Sequence, residues 1–342
     1  MTISPRGPIA VAVIGTGRIG RLHAEVLARR VPGATLGPVY DVDTPSAVDA
    51  AAALGVRAAA SVEEILDADV DAVAICSSSG THVDLMVAAA EAGKAIFCEK
   101  PISLELYELD RGLEAVQAAG VPFQVGFNRR FDPAHASVAE TVAAGRIGEP
   151  HLVRISSRDP SPPPLAYSRT SGGLFLDMTI HDFDMARFVT GSEVVEVFAR
   201  GAVRIDPQLA EIGDIDTAVV TLVHANGCLT AIDNSRRAAY GYDQRVEAFG
   251  SEGMAASENP AAHTGVVMTA AGAQRRPLPY FFLERYMASY ELEWGAFVEA
   301  LRQGTPPPVG AQDARAPLVI GLAAWQSLRE GHPVSLAVGA PR

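Results

Sequence analysis

The fold of the first part of the chain is decided by the stretch Ile9-Ala10-Val11-Ala12-Val13-Ile14-Gly15-Thr16-Gly17-Arg18-Ile19-Gly20. Its first six residues are apolar and predict a buried strand. Beyond them, Ile19, Leu22 and Val26 recur at spacings of three and four, which predicts a helix. A strand that leads through a glycine-rich turn into a helix is the setting that the dinucleotide-binding fingerprint Gly-x-Gly-x-x-Gly requires.

Each glycine of this turn has its own predicted task. Gly15 permits the tight turn, Gly17 lets the backbone approach a pyrophosphate, and Gly20 lets the helix pack close to the sheet. The free amides at the start of the helix would then face the phosphates. We therefore predict cofactor contacts from these glycines and from the two residues between them, Arg18 and Ile19.

An acidic residue follows at the distance that the fingerprint predicts. Asp41 lies 21 residues after Gly20, at the end of a second predicted strand. Its carboxylate can accept hydrogen bonds from both ribose hydroxyls of NAD and would repel the 2′-phosphate of NADP, and Asp43 adds to that repulsion. The sequence therefore predicts NAD in preference to NADP, with Arg18 as the one cation that could weaken the preference.

Composition limits the remaining possibilities. The 342 residues suggest two domains, and the net charge of −12 argues against a partner such as nucleic acid. Three cysteines without a Cys-x-x-Cys pair predict neither a disulfide framework nor a zinc site. No apolar stretch approaches the ~20 residues of a membrane span, so we expect a cytoplasmic protein without a membrane partner.

The pattern of apolar segments changes near residue 127. Before it, strands and helices alternate, which predicts a doubly wound parallel sheet, an α/β Rossmann domain over residues 1–127. After it, candidate strands follow one another, and Asn226-Gly227 predicts a hairpin turn. We therefore predict an α+β domain with an open, largely antiparallel sheet over residues 128–342, which would bind substrate and mediate oligomerisation. Its candidate strands are 194–204, 217–224, 229–235 and 244–249.

Residues at the strand ends of the first domain are candidates for cofactor and substrate contacts. Glu99-Lys100-Pro101 follows a predicted strand, and ligands bind beyond the carboxyl ends of parallel strands. Lys100 would lie beside the cofactor, although an exposed lysine that ends a strand is the alternative. The other residues predicted to contact the cofactor are Ser77, Ser78, His82, Glu99 and Asn128.

The segment from Asp177 to Asp184 carries polar residues on an apolar background. If it is helical, Asp177, His181 and Asp184 share one face, at spacings of four and three. A polar stripe on a buried helix must meet a polar partner. A core histidine with its hydrogen bonds satisfied is one alternative. A metal site is another, but no second histidine lies at ligand spacing, so we predict no metal.

Together these motifs resemble the Gfo/Idh/MocA family of nicotinamide-dependent oxidoreductases. The segment around Asp177 and His181 is similar to a subgroup that contains inositol dehydrogenases. The resemblance implies a Rossmann domain, then an α+β domain whose open sheet mediates a homotetramer, and a catalytic group of Lys100, Asp177 and His181. The matching segments are residues 11–20, 99–101, 126–133, 157–160, 172–188 and 240–243.

The chemistry of these residue types suits oxidation of a secondary alcohol. His181 has an unperturbed pKa near the operating pH and is the best general base. Lys100 can stabilise the developing alkoxide, and Asp177 can bind a neighbouring hydroxyl. A polyol also needs further hydrogen-bonding side chains around it. The residues predicted to bind substrate are Lys100, Asn128, Asp159, Asp177, His181, Tyr240 and Tyr242.

The predicted reaction is the NAD-dependent oxidation of a cyclic polyol, first of all myo-inositol to 2-keto-myo-inositol (scyllo-inosose). The same chemistry on scyllo-inositol, an amino-cyclitol, glucose or an anhydrosugar is an alternative that the sequence leaves open. A nicotinamide-dependent sensor without turnover is a second alternative, and a metal-dependent hydrolase is a third.

Overall fold

The computed structural model describes residues 7–261 and 263–337, and the chain divides into two compact units. The first unit holds residues 1–128 and 288–316, and the second holds residues 129–287 and 317–342. The first break lies beside the predicted boundary at residue 127. The segment 288–316, however, belongs to the first unit, whereas the sequence prediction placed it in the second domain.

The first unit is built on a five-stranded parallel sheet of order β2-β1-β3-β4-β5. Every residue of β3 and β4 is buried, as expected for inner strands with helices on both faces. This confirms the predicted Rossmann fold. The elements are β1 (Ile9–Ile14), α1 (Arg18–Arg29), β2 (Ala34–Tyr40), α2 (Thr44–Leu54), α3 (Val62–Leu66), β3 (Ala72–Ile75), α4 (Ser79–Glu91), β4 (Ala95–Glu99), α5 (Leu106–Ala119) and β5 (Phe123–Gly126).

A late helix completes this unit. Trp294, Phe297 and Val298 of the helix Met287–Gln303 are buried, and the Trp294 ring stacks on Phe97 of β4 with 4.3 Å between ring centroids. Aromatic burial of this kind explains why the helix packs with the first unit, far from it in sequence. A local sequence pattern predicts which face of a helix is apolar, but it does not predict which of the two sheets that face packs against.

The second unit contains a seven-stranded mixed sheet of order β11-β10-β6-β9-β8-β7-β14. Neighbours are antiparallel except β6 and β9, which run parallel, so the predicted largely antiparallel sheet is confirmed. The elements are α6 (Pro133–Ala143), β6 (Pro150–Arg158), α7 (Leu165–Ser168), α8 (Gly173–Asp177), α9 (Ile180–Thr190), β7 (Val194–Ala202), α10 (Gln208–Glu211), β8 (Thr217–His224), β9 (Leu229–Ser235), β10 (Asp243–Gly250), β11 (Gly253–Ser257), β12 (Val266–Thr269), β13 (Gly272–Arg275), α11 (Phe282–Arg285), α13 (Ala311–Glu330) and β14 (Val334–Ser335). The late helix α12 (Met287–Gln303) lies between α11 and α13 in the chain and belongs, from residue 288, to the first unit, as do residues 311–316 of α13.

The two faces of this sheet differ. One face forms the core of the unit with α9 and part of α13. On the other face, Val219, Leu229 and Phe249 are each about half exposed. The hairpin predicted at Asn226-Gly227 joins β8 to β9, and Gly227 has the positive φ of +87° that such a turn favours.

Strand β6 (Pro150–Arg158) was absent from the sequence prediction, although it lies near the middle of the sheet. Its inward residues Val153 and Ile155 alternate with the polar or charged Arg154 and Ser156. That alternation is the usual sign of a strand with one buried face. The signal was therefore present in the sequence and was missed.

The spacing in segment 177–184 predicts one polar face if the segment is helical, but the structure divides the segment between two helices. Helix α8 ends at Asp177 and α9 begins at Ile180. The backbone amides of Met178 and Thr179 both donate to the carbonyl oxygen of Leu174 (3.0 Å each), and the Thr179 hydroxyl has Oδ1 of Asn234 as its nearer acceptor (2.8 Å). Asp177 and His181 consequently lie at the facing ends of two short helices. The carboxylate of Asp184 is paired with Arg130 (2.6 and 2.8 Å).

Candidate active site

The glycine-rich turn of the first unit has the geometry of a phosphate cradle. Gly15 has a φ of +96°, and a Cβ there would overlap the backbone of residues 76–77. A Cβ on Gly20 would overlap the Gly15 carbonyl oxygen, so this glycine is required for packing. A Cβ on Gly17 would instead project into open space at the N-terminus of α1. Open backbone at the start of a helix suits a pyrophosphate, and Arg18 and Ile19 open the helix beside it.

Asp41 lies where the predicted ribose contact requires it, at the end of β2. Its Oδ2 accepts hydrogen bonds from the Thr16 amide (2.6 Å) and hydroxyl (3.2 Å), and its Oδ1 accepts one from the Asp43 amide (2.9 Å). The carboxylate is thereby fixed beside the glycine-rich turn and stays partly exposed. These residues fit an NAD molecule: a cradle for the phosphates and a fixed acceptor for the ribose.

The loops after β3 and β4 are tied together by His82. Its buried ring places one nitrogen 3.0 Å from the Ser77 carbonyl oxygen and the other 3.0 Å from that of Pro101. Burial lowers the pKa of His82. The ring therefore supports both loops from within. The cofactor contact of His82 stays a prediction.

The neighbouring loop residues have other surroundings. Ser77 shares a hydrogen bond with Thr81 (2.7 Å), and Ser78 caps α4 through its backbone. Asn128 is buried in the 3₁₀ turn after β5. Ser78 is exposed and Ser77 is partly exposed, so these two serines are the loop side chains open to a ligand.

Glu99 and Lys100 point to different surroundings, although they are adjacent. Glu99 is buried; its Oε1 lies 2.7 Å from Nε2 of His23, and its Oε2 accepts the backbone amide of Lys100 (3.1 Å). Lys100 is partly exposed at the carboxyl end of the sheet. The carboxylate of Glu99 is therefore engaged inside the unit, and the cofactor contact of this residue stays a prediction.

In the second unit, Asp177 is held at both oxygens. Oδ1 accepts a hydrogen bond from the Tyr167 hydroxyl (2.9 Å), and Oδ2 accepts one from Nη2 of Arg236 (3.1 Å). His181 follows four residues later, at the start of α9, and is partly exposed like Asp177. The two predicted catalytic residues of this unit are thus both partly exposed, and Asp177 is fixed in orientation.

Asp159 lies on the other side of Arg236. Its Oδ2 is 3.9 Å from Nη1 of Arg236, too far for a hydrogen bond, and its side chain is 20% exposed against 1% for Arg236. Burial raises the pKa of Asp159 to about 6, with repulsion from Asp177 in the same direction and attraction to Arg236 opposing. One buried cation therefore lies between two carboxylates that open to the surface.

Beneath these residues lies a network centred on Arg129. Arg129 donates to Asp182 (2.8 Å), to Ser157 (3.1 Å) and to the hydroxyl of Tyr242 (3.3 Å). Asn234 donates to the second oxygen of Asp182 (2.7 Å). Tyr242 is thus engaged in the interior, and burial raises its pKa. The substrate contact predicted for Tyr242 gains no support from this position.

Tyr240 is about half exposed, and its hydroxyl lies in a charged cluster. The hydroxyl donates to Asp243 (2.6 Å) and accepts from Arg158 (3.0 Å). The ring of Tyr240 remains open to the surface, while its hydroxyl is already engaged in two hydrogen bonds. A ligand would therefore pack against the ring more readily than form a new hydrogen bond with the hydroxyl.

Sequence reasoning missed two residues that touch Asp177. Arg236 directly follows β9, and Tyr167 follows the proline-rich loop 159–164. The only signal for Arg236 was a charged pair, Arg236-Arg237, at the end of an apolar strand. Within residues 7–261 and 263–337, no group of three or more His, Cys, Asp or Glu is arranged to hold a metal ion.

Comparison with known proteins agrees with both units. A model of the oxidoreductase family with an NAD-binding Rossmann fold matches residues 9–127, and a Gfo/Idh/MocA C-terminal domain model matches residues 135–256. The chain belongs to the Gfo/Idh/MocA oxidoreductase family. The predicted family is therefore confirmed, and the first unit is an NAD-binding Rossmann domain.

Individual members of the family are similar over almost the whole chain. A myo-inositol 2-dehydrogenase of Thermotoga maritima is 48% identical, over 95% of this chain and 98% of that protein. The crystal structure of a myo-inositol dehydrogenase from Corynebacterium glutamicum has a TM-score of 0.93 at 40% identity, covering 97% and 99% of the two chains. A scyllo-inositol dehydrogenase from Lactobacillus casei, with bound NAD(H) and scyllo-inositol, has a TM-score of 0.89 at 31% identity, covering 96% and 98%.

Proposed function

We propose that this protein is an NAD-dependent inositol 2-dehydrogenase, which oxidises one secondary hydroxyl of a cyclic polyol. The observation that carries the proposal is the fixed Asp177 with His181 beside it and Arg236 behind it. This arrangement offers hydrogen-bond acceptors and a titratable base to a ligand with several hydroxyls. The two similar myo-inositol dehydrogenases favour myo-inositol as the substrate, with scyllo-inosose as the product.

In the first unit, the amides at Gly15–Gly20 hold the pyrophosphate and Asp41 accepts the ribose hydroxyls. NAD, when bound, takes up the hydride from the substrate carbon. The carboxylate of Asp41 repels a 2′-phosphate, and this supports NAD over NADP. Ser77 and Ser78 are the further side chains that line the cofactor loop.

Three side chains take part in removing the proton from the substrate hydroxyl and in holding the substrate. His181 accepts the hydroxyl proton as the alcohol is oxidised, since a neutral imidazole is a base near neutral pH. Lys100 places a positive charge where the alkoxide develops. Asp177 accepts a hydrogen bond from a neighbouring hydroxyl, which fixes the ring relative to the base.

The groups behind Asp177 keep that acceptor in place. Tyr167 and Arg236 each hold one of its oxygens, so the carboxylate cannot rotate freely. Asp159, on the other side of Arg236, is a second acceptor for a substrate hydroxyl.

A substrate panel tests the proposal. Purified protein is mixed with NAD or NADP and with myo-inositol, scyllo-inositol, an amino-cyclitol or glucose, and reduced nicotinamide is followed by absorbance. We expect the highest kcat/KM with NAD and myo-inositol. Tight NAD binding without turnover on any member of the panel would contradict the proposal and favour a sensor.

Assembly and location complete the proposed function. The half-exposed Val219, Leu229 and Phe249 on the open face of the sheet support the homotetramer that the family resemblance implies. Three free, buried cysteines fit a reducing compartment such as the cytoplasm. Among the helices of the described residues, none has the length and apolar character to cross a bilayer.

A further inference from the structure

A chain of hydrogen bonds runs through the interior of the first unit to Lys100. The indole nitrogen of Trp294 donates to Nδ1 of His23 (2.8 Å), and Nε2 of His23 lies 2.7 Å from Glu99. The other oxygen of Glu99 accepts the backbone amide of Lys100 (3.1 Å). Trp294 and His23 are fully buried, so water does not compete for these bonds.

Trp294 fixes the tautomer of His23. An indole nitrogen is only ever a donor, so Nδ1 of His23 must accept and carries no proton. Nε2 therefore carries the ring proton and donates a hydrogen bond to Oε1 of Glu99. Phe97 and Tyr290 pack against the His23 ring edge-on, with centroids 5.2 and 5.4 Å away, and prevent it from turning.

Space for the Glu99 carboxylate is provided by a glycine on the neighbouring strand. A Cβ at Gly126 would lie 3.0 Å from Oε1 of Glu99 and 3.1 Å from its carboxyl carbon. Glu99 is thus held from three directions: by His23, by the amide of Lys100 and by the closeness of β5.

We propose that Trp294 and His23 are positioning residues for Lys100, acting through Glu99. The inference rests on the proposed function, in which Lys100 stabilises the alkoxide. A charge that stabilises a transition state must be held closely, because a shift of about 1 Å can lower a rate by about 100-fold. The helix α12 returns to the first unit from residue 287, and Trp294 makes it part of this support.

Paired substitutions at His23 test the hydrogen bonds. In His23→Gln, the amide oxygen can accept from Trp294 and the amide nitrogen can donate to Glu99, whereas His23→Leu can do neither. We expect kcat within about threefold of the wild type for His23→Gln and at least ~10-fold lower for His23→Leu, with KM for inositol changed little in both. Equal kcat in the two variants would overturn the proposal.

A second pair separates positioning from packing. Trp294→Phe removes the indole donor, whereas Phe297→Leu disturbs the same aromatic cluster, in which Phe297 lies 5.6 Å from Trp294, and removes no hydrogen bond. We expect similar losses of Tm but a lower kcat only in Trp294→Phe. A fall of kcat that follows Tm in both variants would show that the cluster is merely structural.

Two measurements on the full-length protein do not depend on turnover. Nitrogen-15 NMR of the labelled histidines should show His23 unprotonated at Nδ1 and protonated at Nε2, and the opposite tautomer would refute the proposal. Hydrogen exchange at the Lys100 amide should stay slow in His23→Gln and become faster in His23→Leu. The substrate panel can fail while these two results hold. In that case the proposed function is wrong, but the inference that Trp294 and His23 position Lys100 still stands.

Discussion

The candidate sites of the two units are built from different materials. In the first unit the candidate site is made of backbone, because the glycines at 15, 17 and 20 shape the turn at the start of α1. In the second unit the candidate site is made of side chains, with Arg236 between the carboxylates of Asp159 and Asp177. A site made of backbone tolerates few substitutions, but one continuous segment of the chain is enough to form it. A site made of side chains brings together residues from segments that are far apart in the sequence.

The largest expected effect tests the side-chain site. His181→Ala should lower kcat by at least ~100-fold, the usual scale for loss of a general base, while NAD binding measured by calorimetry changes little. An unchanged kcat would remove His181 from the mechanism. A parallel loss of NAD affinity would show that the two units do not divide the tasks as proposed.

The backbone site is tested by two glycine substitutions. At Gly17 the φ of −65° suits any residue and a Cβ meets no protein atom, so Gly17→Ala should leave Tm unchanged. Its methyl group would occupy the approach to the pyrophosphate and weaken NAD binding about tenfold or more, which is roughly 1.4 kcal/mol.

Gly20→Ala is the matched control for the cradle. Its Cβ would overlap the Gly15 carbonyl oxygen, so the main loss should be thermal stability measured in the absence of NAD. If Gly17→Ala also lowered Tm strongly, or bound NAD normally, the open space at Gly17 would not be a phosphate site.

The next effect concerns the dependence of stability on pH. Asp159 has a pKa of about 6 in the folded protein, above its ordinary value of 3.8, because burial disfavours its charge. A raised pKa contributes stability that is fully present below about pH 3.8 and is lost as the pH rises through about 6. Asp159→Asn should therefore raise the free energy of unfolding above pH 6, by at most about 3 kcal/mol.

Urea unfolding at about pH 4 and about pH 7.5 measures this difference. The exposed Asp49 of α2 provides the control, since Asp49→Asn should change the free energy of unfolding little at either pH. A gain for Asp159→Asn that is equal at both pH values would contradict the assignment of the titration to Asp159.

The smallest expected effect is at Tyr167. Tyr167→Phe removes only the hydroxyl that donates to Asp177, a bond with a net contribution of about 0.5–1.5 kcal/mol. We expect kcat/KM for inositol to fall by roughly 2–10-fold with Tm unchanged. An unaltered kcat/KM would mean that Arg236 alone is sufficient to orient Asp177.

The same contrast explains what could be predicted from the sequence. The Rossmann fold, its glycine-rich turn and Asp41 followed from spacing along one continuous segment. Arg236 and Tyr167 did not, because their link to Asp177 is created by the tertiary fold across 59 and 10 residues. Glu99 is a predicted cofactor contact because Glu99-Lys100-Pro101 follows a strand end, and only packing shows that its carboxylate faces His23.

The break between α8 and α9 shows a further limit of structure prediction from residue spacing. Asp177, His181 and Asp184 have helical spacing, and periodicity alone predicts one face. The amides of Met178 and Thr179 share the Leu174 carbonyl at the break, and a hydrophobic pattern contains no sign of this backbone arrangement. Strand β6 was a different error, since its alternation could be read from the sequence.

The place of α12 in the first unit has a consequence for synthesis of the chain. Residues 1–128 leave the ribosome long before Trp294 and Phe297, so the nascent Rossmann segment exposes Phe97 and the nitrogen of His23 that Trp294 later covers. This domain cannot complete its core during its own translation. Its final packing waits for residues close to the end of the chain, and until then its apolar surface is a target for chaperones.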